Sequence, residues 1–173
     1  MVDRDRDADD VIIEHPNREK AASKATKAVV VLLLLVSAVL LVIISIGGWE
    51  KTAGAKPLQI AYVLLYLVFA FFIARWSRGM LPVASACAII LLIFAAVSAP
   101  GWFERGKDGF TATTIDAELI GTLCLILVPV QILLIAFAMR GFQQAWNVEV
   151  ERPRDGRRDE GDGRSSAAVA APA

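Results

Sequence analysis

The chain has 173 residues, 56% of them hydrophobic, and a net charge of zero. The 36 charged side chains avoid four long apolar runs and collect in two tails and three short loops, which excludes an ordinary soluble domain. With no balance of either sign, nothing in the charge points to nucleic acid. The expected fold is all-α: a polytopic four-transmembrane-helix bundle with disordered cytoplasmic tails. Its domains are an N-terminal tail over 1–27, a membrane domain over 28–146 and a C-terminal tail over 147–173.

Met1 to Asp10 alternates acids and bases and reads as a solvated tail. Val11-Ile12-Ile13 reads as an incidental patch within it, with a short docking motif as the sharper alternative. Pro16 disfavours helix at His15, and Asn17 has N-cap chemistry, so a helix is expected from Arg18 straight into the first span. Lys20, Lys24 and Lys27 share one face and are expected to meet anionic lipid headgroups, at ~1 kcal/mol per cation.

The first span, 28–46, has 19 residues, fifteen of them Val, Leu or Ile. That is long enough for a ~30 Å hydrocarbon core and too long for a signal-peptide core. The second span, 57–74, opens on Pro57, tolerated in a first helical turn. Gln59, Tyr62, Tyr66 and Phe69 fall on one face. Tyr66 lies near mid-membrane, where an unpaired hydroxyl is costly, so it is expected to bond to another helix; a substrate-lining face is the alternative.

The third span, 81–99, is rich in Ala and Ser and has only nine Leu, Ile, Val or Phe residues. It is expected to be the one most surrounded by other helices. Ala84, Ala88, Leu91, Ala95 and Ser98 form a mostly small-residue stripe suited to close helix approach. Residues 100–118 read as a loop with turns at Pro100-Gly101 and Lys107-Asp108-Gly109. Trp102, Phe103, Glu104, Arg105 and Asp108 make it the candidate contact surface outside the membrane.

The fourth span, 119–139, carries Pro129 at its midpoint, where a kink is expected. Gly121, Cys124, Val128, Gln131, Ile135 and Ala138 share a face read as a packing seam, with Gln131 as interhelical glue or, alternatively, part of a gate at the proline. Tyr66, Ala88, Gly121, Pro129 and Gln131 are therefore the candidate packing or gating residues. Phe142 and Trp146 continue an amphipathic piece, and the remainder is low in complexity.

Fourteen of the eighteen Lys and Arg residues fall in the two tails and the 75–80 turn. The positive-inside rule then puts both termini in the cytoplasm, in agreement with an even number of spans. All four tryptophans sit just outside a span, as an aromatic belt would. Alanine and arginine in the tails suggest a bacterial inner membrane. Cys87 and Cys124 should differ in depth by roughly 13 Å, too far to pair.

No span contains an ionisable group, which disfavours proton- or ion-coupled transport. Absence of a CxxC pair, with His15 the only histidine, disfavours thiol redox chemistry, haem and metal sites. No enzyme activity and no cofactor are expected. The leading expectation is a structural or accessory membrane protein that acts by packing with itself or with a larger membrane complex. The alternative is an oligomeric uncoupled channel or carrier lined by Tyr62, Tyr66 and Gln131.

Overall fold

A computed structural model of the chain describes residues 11–52, 54–107, 109 and 113–153. The described residues form β1 (Val11–Glu14), α1 (Pro16–Glu19), α2 (Ala21–Gly47), α3 (Lys56–Ala74), α4 (Met80–Arg105), α5 (Ala117–Gln143) and β2 (Val150–Pro153). Helices α2 to α5 are each long and apolar enough to cross a membrane, and the chain is a multi-pass membrane protein built as a four-helix bundle. Two compact units are present: the helical unit over 17–147, and a unit made from the two ends of the chain.

Within the unit of chain ends, β1 and β2 form an antiparallel ribbon, with Val11 opposite Pro153 and Glu14 opposite Val150. The Val11-Ile12-Ile13 patch is thus a strand rather than incidental. β-branched residues favour the extended backbone, and the alternation around Val150 supplies its partner. The expectations for 1–10 and 154–173 fall outside the described residues.

In the helical unit, α2 packs on α3 and on α5, and α5 packs extensively on α4, while α3 and α4 touch little. Lys27, Ala74 and Trp146 meet at the end nearest the termini, here the terminal end. Gly48, Trp102, Phe103 and Gly121 meet at the opposite, distal end.

Helix α2 has 27 residues and a length of about 40 Å. Its run of Val, Leu and Ile gives no face away, yet only one is enclosed: Val30, Leu34, Ser37, Ala38, Leu41 and Ile44. The opposite face leaves Leu32, Val39 and Ile46 more than half exposed. Ser37 and Ala38 thus share the inside with aliphatic side chains, and large aliphatic ones also face outward, where lipid replaces water. An uninterrupted helix from Arg18 does not form. Lys20 adopts ψ 131°, so α1 ends before α2 begins. Asn17 lies inside α1 and uses its side chain elsewhere.

Helix α4 corrects two expectations. It is not the most enclosed span; α2 is, packed between α3 and α5, while α4 leans mainly on α5 and touches α3 little. It also continues through Pro100 to Arg105, so the loop begins six residues later than expected. Pro100 has no N–H to offer the Ala96 carbonyl, a penalty that ordinarily stops a helix. Contacts beyond the proline offset it: Trp102 is buried over Gly48, and Phe103 packs over Gly121.

Helix α5 starts at a true cap, with the Asp116 carboxylate accepting from the Glu118 N–H at 2.8 Å. It runs unbroken through Pro129 to Gln143. Gly121, Cys124, Gln131 and Ala138 are buried along it, joined by Ile120, Leu127 and Leu134, while Val128 and Ile135 lie at the margin.

Candidate functional site

The polar groups inside the bundle form one connected chain. Tyr66 on α3 donates its hydroxyl proton to Gln131 Oε1 on α5 at 2.8 Å. Gln131 Nε2 donates to Ser37 Oγ on α2, also at 2.8 Å. Ser37 then donates to the Leu33 carbonyl of its own helix at 2.7 Å. All three side chains have no exposed surface. With no water in a hydrocarbon core, such groups must find partners within the protein. The relay starts at one hydroxyl, crosses an amide and ends on a backbone oxygen, so both hydroxyl protons are used. Aromatic neighbours fix the tyrosine: Tyr62 lies edge-on at 6.0 Å and Phe69 tilted at 6.4 Å.

The other candidate packing residues divide by face. Ala88 is fully buried in the α4 stripe with Ala84, Leu91 and Ala95, whereas Ser98 is exposed and Ala99 takes the inward position. Gly121 is buried, and a Cβ there would lie 3.2 Å from the Phe103 ring and 3.3 Å from the Ala99 carbonyl oxygen. These small residues therefore bring α4 close to α5 within one chain. Pro129 is exposed on the opposite side, away from Tyr66 and Gln131.

The candidate contact residues divide between inside and surface. Trp102 is buried and Phe103 is half-buried over Gly121. Glu104 is exposed and pairs with Lys107 at 2.9 Å, and the Arg105 guanidinium lies 5.6 Å from the Trp102 ring centre. Asp108 falls outside the described residues.

No protein-family model, curated protein or solved structure matches this chain. Its chemistry is read from its own geometry.

A second polar assembly, which the sequence reading missed, closes the terminal end. Asn17 Nδ2 donates to the Ala145 carbonyl at 3.1 Å, and Arg18 Nε donates to the Trp146 carbonyl at 3.0 Å. Arg78, from the α3–α4 turn, donates to the Phe142 carbonyl at 2.7 Å with its guanidinium over the Phe142 ring. Carbonyls at a helix C-terminus lack helical partners and carry partial negative charge, so cationic donors suit them. Trp146 is completely buried between these groups, donates to Gln144 Oε1 and stands edge-on to Trp76 at 5.3 Å. Trp102 and Trp146 are therefore packed inside the helical unit.

The lysine stripe is partly engaged in the same assembly. Lys27 lies 3.9 Å over the Trp76 ring and donates to the Ala74 carbonyl, and Lys20 donates to Asn17 Oδ1. Lys24 is exposed. Among the described residues, no cluster of His, Cys, Asp and Glu could hold a metal ion, and Cys87 and Cys124 are both free thiols.

Proposed function

We propose that this protein is a small structural or accessory membrane protein that acts by helix packing, with itself or within a larger membrane complex, and has no catalytic step. The relay from Tyr66 through Gln131 to Ser37 carries this reading: these three hydrogen-bonding side chains are directed at one another and not at a passage. Because Ala88 and Gly121 are already used between α4 and α5, contact with a partner falls to the outward aliphatic faces, such as Leu64 and Leu67 on α3 or Ile90 and Ile93 on α4.

The charge distribution supports cytoplasmic termini, and the composition of the tails supports a bacterial inner membrane. Lys20, Lys24 and Lys27 would then lie at headgroup level, with Lys24 offering its ammonium to anionic lipid and its two neighbours shared with the protein. The channel reading, with Tyr62, Tyr66 and Gln131 lining a conduit, requires the Tyr66–Gln131 bond to open and is the weaker of the two.

Native mass spectrometry of the protein extracted in mild detergent tests the proposal. A heterologous partner at fixed stoichiometry, or a discrete homo-oligomer that passes no solute above empty liposomes, is the expected result. A bare monomer before and after cross-linking in the membrane overturns it. Solute flux through reconstituted protein would move the channel reading to the front.

A further inference from the structure

The four long helices are not pinned to one another equally. The relay from Tyr66 through Gln131 to Ser37 has a counterpart at the terminal end. There Trp146 Nε1 donates to Gln144 Oε1 at 3.0 Å, Gln144 Nε2 donates to Thr26 Oγ1 at 3.0 Å, and Thr26 donates to the Ala22 carbonyl of its own helix. In both, an aromatic donor, a glutamine and a hydroxyl on α2 follow in the same order. Helix α2 is thus bonded at two depths to α5 and the residues just past it. Between α3 and α4, among the described residues, the only hydrogen bond is that of the Tyr62 hydroxyl to the Cys87 carbonyl at 3.5 Å. That is longer than such a bond normally is.

Helix α3 is also the shortest and the least buried of the four. Its buried residues are Tyr62, Tyr66, Phe69, Ala70 and Ile73, and no residue from 56 to 61 is buried. Its last turns are further held by Lys27, which donates to the Ala74 carbonyl, and by the short turn into α4. Its first turns have no such hold. Lys56 lies 4.6 Å over the ring of Trp49, which is itself exposed in the connection from α2. Gln59 Oε1 is buried and has no hydrogen-bond partner, so it anchors nothing. A Cβ on Gly54, just before the helix, would meet open space.

Beside this unheld stretch lies a cavity of about 200 Å3. Leu58 and Tyr62 line it from α3, facing Leu41, Leu91 and Leu127 of the other helices. Leu58 and Phe94 are also exposed, so the cavity reaches the surface between α3 and α4. Protein interiors hold few voids of this size, because the lining atoms forgo dispersion contacts. Few buried contacts, in turn, mark the parts of a fold that move most easily.

We propose that α3 is a hinged flap with two positions: the open one seen here, and a closed one in which its first turns swing onto α4 and α5 and take up the cavity. Past Pro57 the helix has no glycine or proline, so it swings as a rod. With a pivot at Ile73, Leu58 lies about 22 Å away along the axis, so a tilt of about 10° carries Leu58 by about 4 Å and Tyr66 by about 2 Å. The long side chains of Tyr66 and Gln131 follow that smaller displacement, so their bond holds in both positions. Closing gains core contacts, and opening joins the interior to the lipid-facing surface of the distal half. The flap is a lateral gate within a single chain and stands or falls separately from any assembly with partners.

The test uses the full-length chain in lipid nanodiscs, with Cys87→Ala and Cys124→Ala, and pairs of spin labels read by double electron–electron resonance. Leu58→Cys with Phe94→Cys spans the gap, and Phe72→Cys with Val83→Cys spans the held end; all four positions are exposed and accept a label. The pair across the gap should give two distances about 4 Å apart, and the pair at the held end a single one. Ala95→Trp, which places an indole in the cavity, should remove the shorter distance. The comparison of the two pairs needs no tryptophan at 95 and decides the matter if that variant does not fold. A single distance across the gap, as narrow as at the held end, or two distances that Ala95→Trp leaves unchanged, overturns the proposal and makes the cavity a fixed packing defect.

Discussion

Tyr66 and Gln131 are joined at 2.8 Å although their helices, α3 and α5, make almost no close backbone approach. Two long side chains span a diagonal of the bundle, and Ser37 on the helix between them accepts from the other end of the Gln131 amide. Three helices are thereby set at one depth by a single amide.

Removing either end of this bond should be costly, and removing both less than twice as costly. Tyr66→Phe leaves Gln131 Oε1 without its donor, and Gln131→Leu leaves the Tyr66 hydroxyl without its acceptor while Ser37 keeps its bond to the Leu33 carbonyl. Each should destabilise the bundle by about 1–2 kcal/mol, with the double variant falling short of the sum. Reversible unfolding in mixed micelles, run as a double-mutant cycle, measures the coupling. Additive losses would mean that the two side chains do not act as a pair.

At the distal end, a Cβ on Gly48 would lie 2.6 Å from the Trp102 ring. Gly48→Ala should therefore force the indole out of place and destabilise by about 1–3 kcal/mol. Gly121→Leu should separate α5 from Phe103 and the α4 backbone with a similar penalty. Thermal unfolding of the isolated chain reads both. Because the contact is internal, the loss should appear even in a monomeric preparation.

Trp146 is the largest fully buried side chain among the described residues. Trp146→Ala should cost about 3–5 kcal/mol, as large aromatic truncations in cores do. Arg78→Ala should cost less, about 1–3 kcal/mol, because water can reach a carbonyl at the end of a helix. Limited proteolysis near residue 147 should become faster in both variants, and more so in the tryptophan variant.

Ala145 carries φ 49°, a left-handed conformation that a side chain opposes, just past the end of α5. Ala145→Gly should relieve it and raise stability by up to about 1 kcal/mol. Trp76 shares the feature at φ 67°, but its ring lies under Lys27 and edge-on to Trp146, so Trp76→Gly should be destabilising. Melting temperatures of the two variants, moving in opposite directions, would separate backbone strain from side-chain packing.

The spans were legible because hydropathy and length alone decide them. The inward turn of Tyr66 and Gln131 was legible because a polar group in a hydrocarbon setting has few alternatives. The buried face of α2 was not: fifteen of nineteen residues in its apolar run are Val, Leu or Ile, and only Ser37 and Ser45 hinted at it. Pro100 hid the last turn of α4, since local chemistry argues for a stop there and only the distant Gly48 and Gly121 overrule it. The terminal assembly was invisible for a similar reason. Asn17 and Ala145 are 128 positions apart, and no pattern in either segment announces the other.

That separation has a consequence for biogenesis. A ribosome delivers Asn17 and Arg18 early, and their acceptors at Ala145 and Trp146 only after all four long helices have left it. Until then the start of the chain has nothing to hold. Closure of the terminal end is therefore a late event in synthesis, and a chain that stalls inside α5 would present the quality-control machinery with an open bundle and a Trp76 held by Lys27 but not by Trp146.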